Sequence, residues 1–338
     1  MIHELYLLLG ALVTLVIVYD FFYTTLSFNG AGYISRLLSK LLSTFFLFIN
    51  SFDAKRRVLR YSGAVHILSL MGLWIGLLWF GFFLLLMGDP ASVLEASTKN
   101  PASPLTKVYV SGYTLSTLGV GDYIPGTKGW QVIMAAFSFV GFIFVTTAMT
   151  YLINLANAVI HKRSVSLFIS NMGASAEEIV ANSYDKNSFT GLSATAPLLR
   201  EMINKHNQNH LAHPGVHYFY SSKKVESLSI NIANLDEALS IIFYFYKDES
   251  KSYSELYALS KSIDTYLDSI KHRFYTAKEY QEPHIPDFKK INAMNSNVQI
   301  IDPKNLDEFQ SSISDRRNQL LGLLKSDGWS WQDVRQTT

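Results

Sequence analysis

The sequence predicts a membrane all-α protein: three transmembrane helices followed by a mainly α cytoplasmic domain. Two observations carry that prediction. Charge is divided unevenly, with 9 Lys/Arg and 6 Asp/Glu in residues 1–160 against 20 and 21 in residues 161–338. Within the charge-poor part lie three apolar runs, Leu5–Leu26, Val65–Met87 and Trp130–Ile160. Each is long enough to cross a bilayer, which takes about 20 residues of helix. A wholly soluble enzyme is thereby excluded. The chain has no cysteine, so it has no disulfide framework, thiolate nucleophile or thiolate metal site. A net charge of +2 provides no field for nucleic acid.

The first run holds one charged residue, Asp20. It lacks the basic start and small-residue cleavage site of a signal peptide, and reads as a retained helix. Asp20 lies near its inner end and reads as an anchor or salt-bridge partner. Residues 34–49 place Arg36, Ser39, Lys40 and Ser43 on one side among apolar residues. That pattern suits a helix lying in the inner interface better than a fourth span, because Arg36 and Lys40 are costly mid-bilayer. The second run carries only His66, at its edge. The third has 31 residues, about 46 Å of helix, and should tilt or continue into the cytosol. Arg36, Lys40, Lys55, Arg56, Arg57 and Arg60 face Asp53 alone in residues 27–64, and His161, Lys162 and Arg163 follow the third run. The positive-inside rule makes both places cytoplasmic, with the N-terminus and residues 88–129 outside. The expectation is a multi-pass plasma-membrane protein whose first partner is the lipid bilayer. No helix carries arginine at every third position, so a voltage sensor of that kind is not expected.

Between the second and third runs, residues 105–116 are uncharged after Lys107: too short to span, long enough for a half-membrane helix. Thr117-Leu118-Gly119-Val120-Gly121-Asp122 follows. Irregular backbone at membrane depth must be buried in protein or line a water-filled path. A dehydrated cation needs oxygens in place of its water, and the carbonyls of Thr117, Leu118, Gly119 and Val120 supply them if they point the same way. Such a backbone alternates in handedness, which Gly119 and Gly121 permit. The Thr117 hydroxyl adds an inner ring. The half-helix aims its negative C-terminal end at the cation, and Asp122 attracts cations at the outer mouth. An ordinary extracellular turn also uses glycine and aspartate, but does not explain a half-helix and hexapeptide between two spans.

This hexapeptide resembles the Thr-Val-Gly-Tyr-Gly-Asp filter of tetrameric potassium channels. The flanking spans are similar to the outer and inner helices of channels with two spans per subunit. The resemblance covers residues 65–160 and implies a homotetramer, with each chain supplying one filter strand and K+ ions bound in the ring. It divides the chain into a peripheral part (1–64), a pore module (65–163) and a regulatory or assembly domain (164–338). Gly141 lies 24 residues after Thr117, where such channels carry a hinge glycine; it serves bending or close packing equally well. Val120 replaces the family's tyrosine. Tyr109 stands where tryptophan is frequent and can reach Asp122, and Tyr113 stands where some relatives place an acid. Of Phe137, Phe139, Phe142 and Phe144, most should face lipid or neighbouring helices, and any one can narrow the pore.

Residues 164–338 carry helical patterns opening at Ser175, over 195–207, from Asn234, over 255–274 and over 305–324. Val225–Ile232 alternates like a strand, and Pro283 with Pro286 marks a loop. No dinucleotide-binding motif, nucleophile triad or phosphate loop is present, so neither an enzyme nor an organic cofactor is expected. His206 and His210 are four apart on a helical stretch, a spacing that suits a metal ion. Lys223-Lys224 and Arg316-Arg317 read as solvated surface. The expected function is a potassium-selective channel gated at its inner helix. The alternatives are a less selective cation channel or a membrane-anchored sensor.

Overall fold

The computed structural model describes residues 1–53, 55–185, 188–245, 252–271, 273–275, 287–296 and 306–335. Contacts divide the chain into two compact units, Met1–Leu42 with Ala64–Leu155, and Ser43–Gly63 with Ala156–Thr338.

The first unit is built on helices α1 (Ile2–Leu26), the start of α2 (Tyr33–Asn50), α3 (Ser62–Met87), the short α4 (Pro104–Leu115) and most of α5 (Lys128–Ser170). Its core joins Ile17 and Phe21 of α1, Trp74, Leu78 and Phe82 of α3, Val110 of α4 and Phe144 of α5. Aromatic rings fix the register. Phe21 stacks on Phe144 at 3.9 Å between centroids, and Phe82 on Phe137 at 4.0 Å. Residues 93–95 (β1) pair antiparallel with 123–125 (β2), Leu94 opposite Ile124. The sequence pattern does not announce this pairing.

Asp20 departs from its expected role. It is buried, and its carboxylate accepts the backbone N–H groups of Ile34 (2.8 Å) and Ser35 (3.2 Å) at the start of α2, the Ser35 hydroxyl, and Trp74 Nε1 (3.3 Å). These donors take the place of a basic partner. Ser39, read as sharing one side with Arg36 and Lys40, is buried and donates to the Ser35 carbonyl at 2.6 Å.

The second unit is helical. It comprises the end of α5, α6 (Ala176–Ser183), α7 (Thr190–Ala212), α8 (Leu228–Phe245), α9 (Ser252–Ile270), α10 (Phe288–Met294), α11 (Leu306–Ser326) and α12 (Trp331–Arg335). Ser175 caps α6 by accepting from Glu178 N, while Glu178 returns a bond to Ala174 N at 2.9 Å, a reciprocal capping box. The strand expected at 225–232 is absent. Lys224–Glu226 forms a 3₁₀ turn and α8 begins at Leu228, six residues before the expected start. α8 is enclosed on all sides, so its polar residues Ser229, Asn231 and Asn234 are buried with its apolar ones and no amphipathic face marks it in the sequence. Pro283 and Pro286 lie outside the described residues.

Among the described residues, four helices are long and apolar enough to cross a membrane: Ile2–Leu26, Val58–Met87, Lys128–Ser170 and Leu228–Phe245. The fourth is 83% buried within the protein, whereas the other three are 17–39% buried. It is a core helix, and the other three leave apolar surface that only lipid or further protein can cover.

Arg316 and Arg317 are not solvated. Arg316 Nε donates to Asp236 at 2.9 Å, and its guanidinium also pairs with Asp264. Arg317 makes a two-pronged bond to Glu237, at 2.7 and 2.6 Å, with both side chains buried. Arg56 is anchored as firmly. It donates to the carbonyls of Ser221 (3.1 Å), Asp327 (2.6 Å) and Gly328, and lies 3.6 Å over the Trp329 ring.

Candidate functional site

The half-helix α4 starts at Ser103, whose hydroxyl accepts from Thr106 N at 3.2 Å, with Pro104 at the first helical position. It is tied to α3 by Trp79 Nε1, which donates to the Val108 carbonyl (3.0 Å) and the Ser111 hydroxyl (2.9 Å). Lys107 is buried, and its ammonium donates to the carbonyls of Leu86 (2.8 Å) and Asp89 (2.7 Å), where the last turn of α3 leaves carbonyls unpaired. Asp89 in turn accepts Trp130 Nε1 at 2.6 Å. The half-helix is thus fixed to both long helices around it.

Its C-terminus sets up the hexapeptide. Thr117 N bonds to the Thr114 carbonyl at 3.1 Å, and Leu118 N to the Tyr113 carbonyl at 3.0 Å. This is the pair of bonds of a Schellman ending, with Thr117 in the left-handed position that glycine usually fills. Thr117 has φ 61°, Gly119 φ 58° and Gly121 φ 87°, while Leu118 and Val120 do not enter positive φ. Handedness therefore alternates residue by residue. A β-branched residue at positive φ is strained by about 1–3 kcal/mol and persists where its surroundings enforce it. Leu118 and Val120 are 69% and 51% exposed on the single chain.

The outer end is braced. The Asp122 carbonyl accepts Ala96 N at 2.9 Å, and its carboxylate accepts Tyr123 N at 3.1 Å. The Tyr109 phenol lies beside that carboxylate. The Tyr113 phenol donates to the Tyr123 carbonyl at 3.0 Å. On the inner side, a methyl group at Gly141 would collide with the Leu115 carbonyl, so α5 packs directly on the end of α4 there. α5 runs unbroken through Gly141.

Two comparisons bear on this geometry. The ion-channel family model matches residues 70–157, which contain α4, the hexapeptide and the inner helix. The pore region of the chain belongs to that ion-channel family. Over 331 residues it is 31% identical to YdjJ, an uncharacterized membrane protein of Bacillus subtilis (strain 168), covering 97% of this chain and 96% of the relative. The similarity to this relative therefore extends through the second unit, beyond the residues that the ion-channel model matches. No solved structure matches the chain.

Within the channel, the four phenylalanines of the inner helix separate. Phe137 and Phe144 are committed to the stacks on Phe82 and Phe21, so they do not face a pore. Phe139 and Phe142 are 68% and 55% exposed.

His206 and His210 are brought together on α7 with ring centroids 5.6 Å apart, and His217 lies 5.3 Å from His210. Among the described residues no group of three or more His, Asp or Glu is placed to hold a metal ion, so the pair lacks the further ligands of a closed zinc site. Both rings are buried, and none of their four nitrogens has a hydrogen-bond partner. Burial pushes both imidazoles well below the usual histidine range, with Lys162 beside both, His161 beside His206 and His217 beside His210 adding to the effect. Tyr266 packs on the two rings. The folded state thus keeps both neutral, while the unfolded chain takes up protons near pH 6.5. Stability falls as pH drops through 6.5, by about 1.4 kcal/mol per pH unit for each imidazole. Thermal unfolding of the full-length protein in detergent from pH 7.5 to 5.5 should show this slope, and His206→Leu should lower it by the share of one imidazole, about 1.4 kcal/mol per pH unit. An unchanged slope in that variant would exclude the pair as its source.

Proposed function

We propose that the protein is a potassium-selective channel: four copies close a ring, and K+ passes passively along the carbonyls of Thr117, Leu118, Gly119 and Val120, with Gly121 ending the narrow stretch. The observation that carries this reading is the alternating sign of φ at Thr117, Gly119 and Gly121 after a fixed half-helix. Alternating left- and right-handed residues turn successive carbonyls to one side, which gives a column of oxygens able to replace a hydration shell. The exposure of Leu118 and Val120 supports the tetramer, since apolar side chains beside a water-filled path need cover from a neighbour. Asp122, held with Tyr109, stands at the outer mouth. The inner helix gates, and the second unit, in the cytoplasm by the placement of basic residues, modulates it. No catalytic role is assigned.

Purified protein in liposomes should pass K+ at least about tenfold faster than Na+, and cross-linking in mild detergent should stop at the tetramer. Asp122→Asn should lower K+ flux while sparing assembly. Equal K+ and Na+ fluxes would replace this reading by a general cation channel; a protein that stays monomeric would remove the pore altogether.

A further inference from the structure

The interfacial helix α2 presents an uncovered apolar stripe. Tyr33, Leu37, Leu41, Phe45 and Phe48 recur at spacings of three and four and are 50–80% exposed. Ser35, Ser39 and Phe46 are buried on the opposite side. Arg36 and Lys40 adjoin the stripe and are exposed. Only six residues separate α2 from the apolar α1, so it begins at the level where that helix leaves the bilayer. Six basic residues against one acid in residues 27–64 make the region complementary to anionic headgroups. An apolar stripe beside exposed cations is the chemistry of a helix lying on an anionic lipid surface.

The buried side is wired inward. The positive N-terminal end of α2 is held by the Asp20 carboxylate through Ile34 N and Ser35 N, a charge-assisted arrangement. Trp74 Nε1 donates to the same carboxylate at 3.3 Å and to Ser35 Oγ at 3.0 Å. The Trp74 ring meets Tyr151 of the inner helix edge-on at 6.3 Å and Phe21 at 5.0 Å, and Phe21 stacks on Phe144. Both branches end on α5, within a close-packed core that transmits displacement rather than absorbing it.

We propose that α2 senses the anionic lipid surface of the inner leaflet and that the Asp20–Trp74 junction passes its position to the inner helix at Tyr151 and Phe144. The transmission half rests on the channel reading; the lipid contact does not.

The absence of native cysteine makes the test site-specific. Full-length Leu37→Cys, labelled with an environment-sensitive fluorophore, is placed in vesicles of phosphatidylcholine or phosphatidylcholine with phosphatidylglycerol, with or without brominated acyl chains. The label should be quenched by brominated lipid, more strongly when phosphatidylglycerol is present. In parallel, unlabelled protein should change its K+ flux at least about fivefold between the two lipid compositions. Arg36→Gln with Lys40→Gln should abolish that difference and keep basal flux. Asp20→Asn and Trp74→Phe should leave a Leu37→Cys label quenched yet reduce the flux difference severalfold. An unquenched label means that protein, such as a second copy, covers the stripe, and overturns the lipid contact. A full lipid response in both Asp20→Asn and Trp74→Phe overturns the transmission. No K+ flux in either vesicle ends the channel reading and the transmission with it, while quenching still decides the lipid contact.

Discussion

On the potassium-channel reading, replacing Gly119 with alanine should leave assembly intact and abolish the preference for potassium over sodium. Gly119 has φ 58°, and a methyl group built there meets nothing within 4 Å on its own chain. The penalty is therefore conformational rather than a collision: about 1–2 kcal/mol for an L-residue held left-handed. Four filter strands raise that to roughly 4–8 kcal/mol around one ring. The segment relieves it by rotating the peptide between Leu118 and Gly119, which turns a coordinating carbonyl out of the column. Sodium then crosses with water attached, and the K+ to Na+ flux ratio in liposomes falls at least about tenfold. Cross-linking of the same preparation should still give the wild-type oligomer. A ratio unchanged in the assembled variant would mean that the carbonyls of this segment do not select the ion.

The hexapeptide is legible in sequence because its chemistry is local. Glycine at alternate positions states a backbone requirement directly, and an uncharged stretch of half-membrane length states where that backbone lies. The cap at Ser175 is legible for the same reason, since it acts on an amide three residues away. Thr117 is not, because a β-branched residue carries no signal for positive φ; the Schellman bonds to Tyr113 and Thr114 impose it. Asp20 reads as a solitary acid because its partners lie 14, 15 and 54 residues away. Gly141 suits a hinge or a close approach in sequence, and the Leu115 carbonyl beside it argues for the approach. The start of α8 is hidden for a different reason. Its polar residues Ser229 and Asn231 are buried beside its apolar ones, so the alternation of polar and apolar residues in Val225–Ile232 reads as a strand rather than as an enclosed helix.

Arg316 and Arg317 are the sharpest case, and the stability of the second unit depends on them. Adjacent arginines read as surface because an isolated guanidinium is never buried at tolerable cost. Here each finds acids on other helices: Arg316 meets Asp236 of α8 and Asp264 of α9, and Arg317 meets Glu237 of α8. Burial pushes the Asp236 carboxyl up, opposed by Arg316, with Glu237 raising it further. Arg317→Ala strands the Glu237 carboxylate, 2% exposed, without its partner. Breaking a buried pair from one side costs about 3–5 kcal/mol, which is a large share of the 5–15 kcal/mol that holds a domain together. Thermal unfolding of the full-length protein in detergent should show the stability of the second unit lowered by that amount. Arg317→Met with Glu237→Leu removes both charges at similar volume and should restore most of the loss, because neither group is then left unpaired. If Arg317→Ala alone left the transition unchanged, the two-pronged bond would be excluded as a determinant of this unit's stability. If the double replacement were as unstable as the single one, the loss would belong to packing around Phe309, over whose ring the Arg317 guanidinium lies at 5.7 Å.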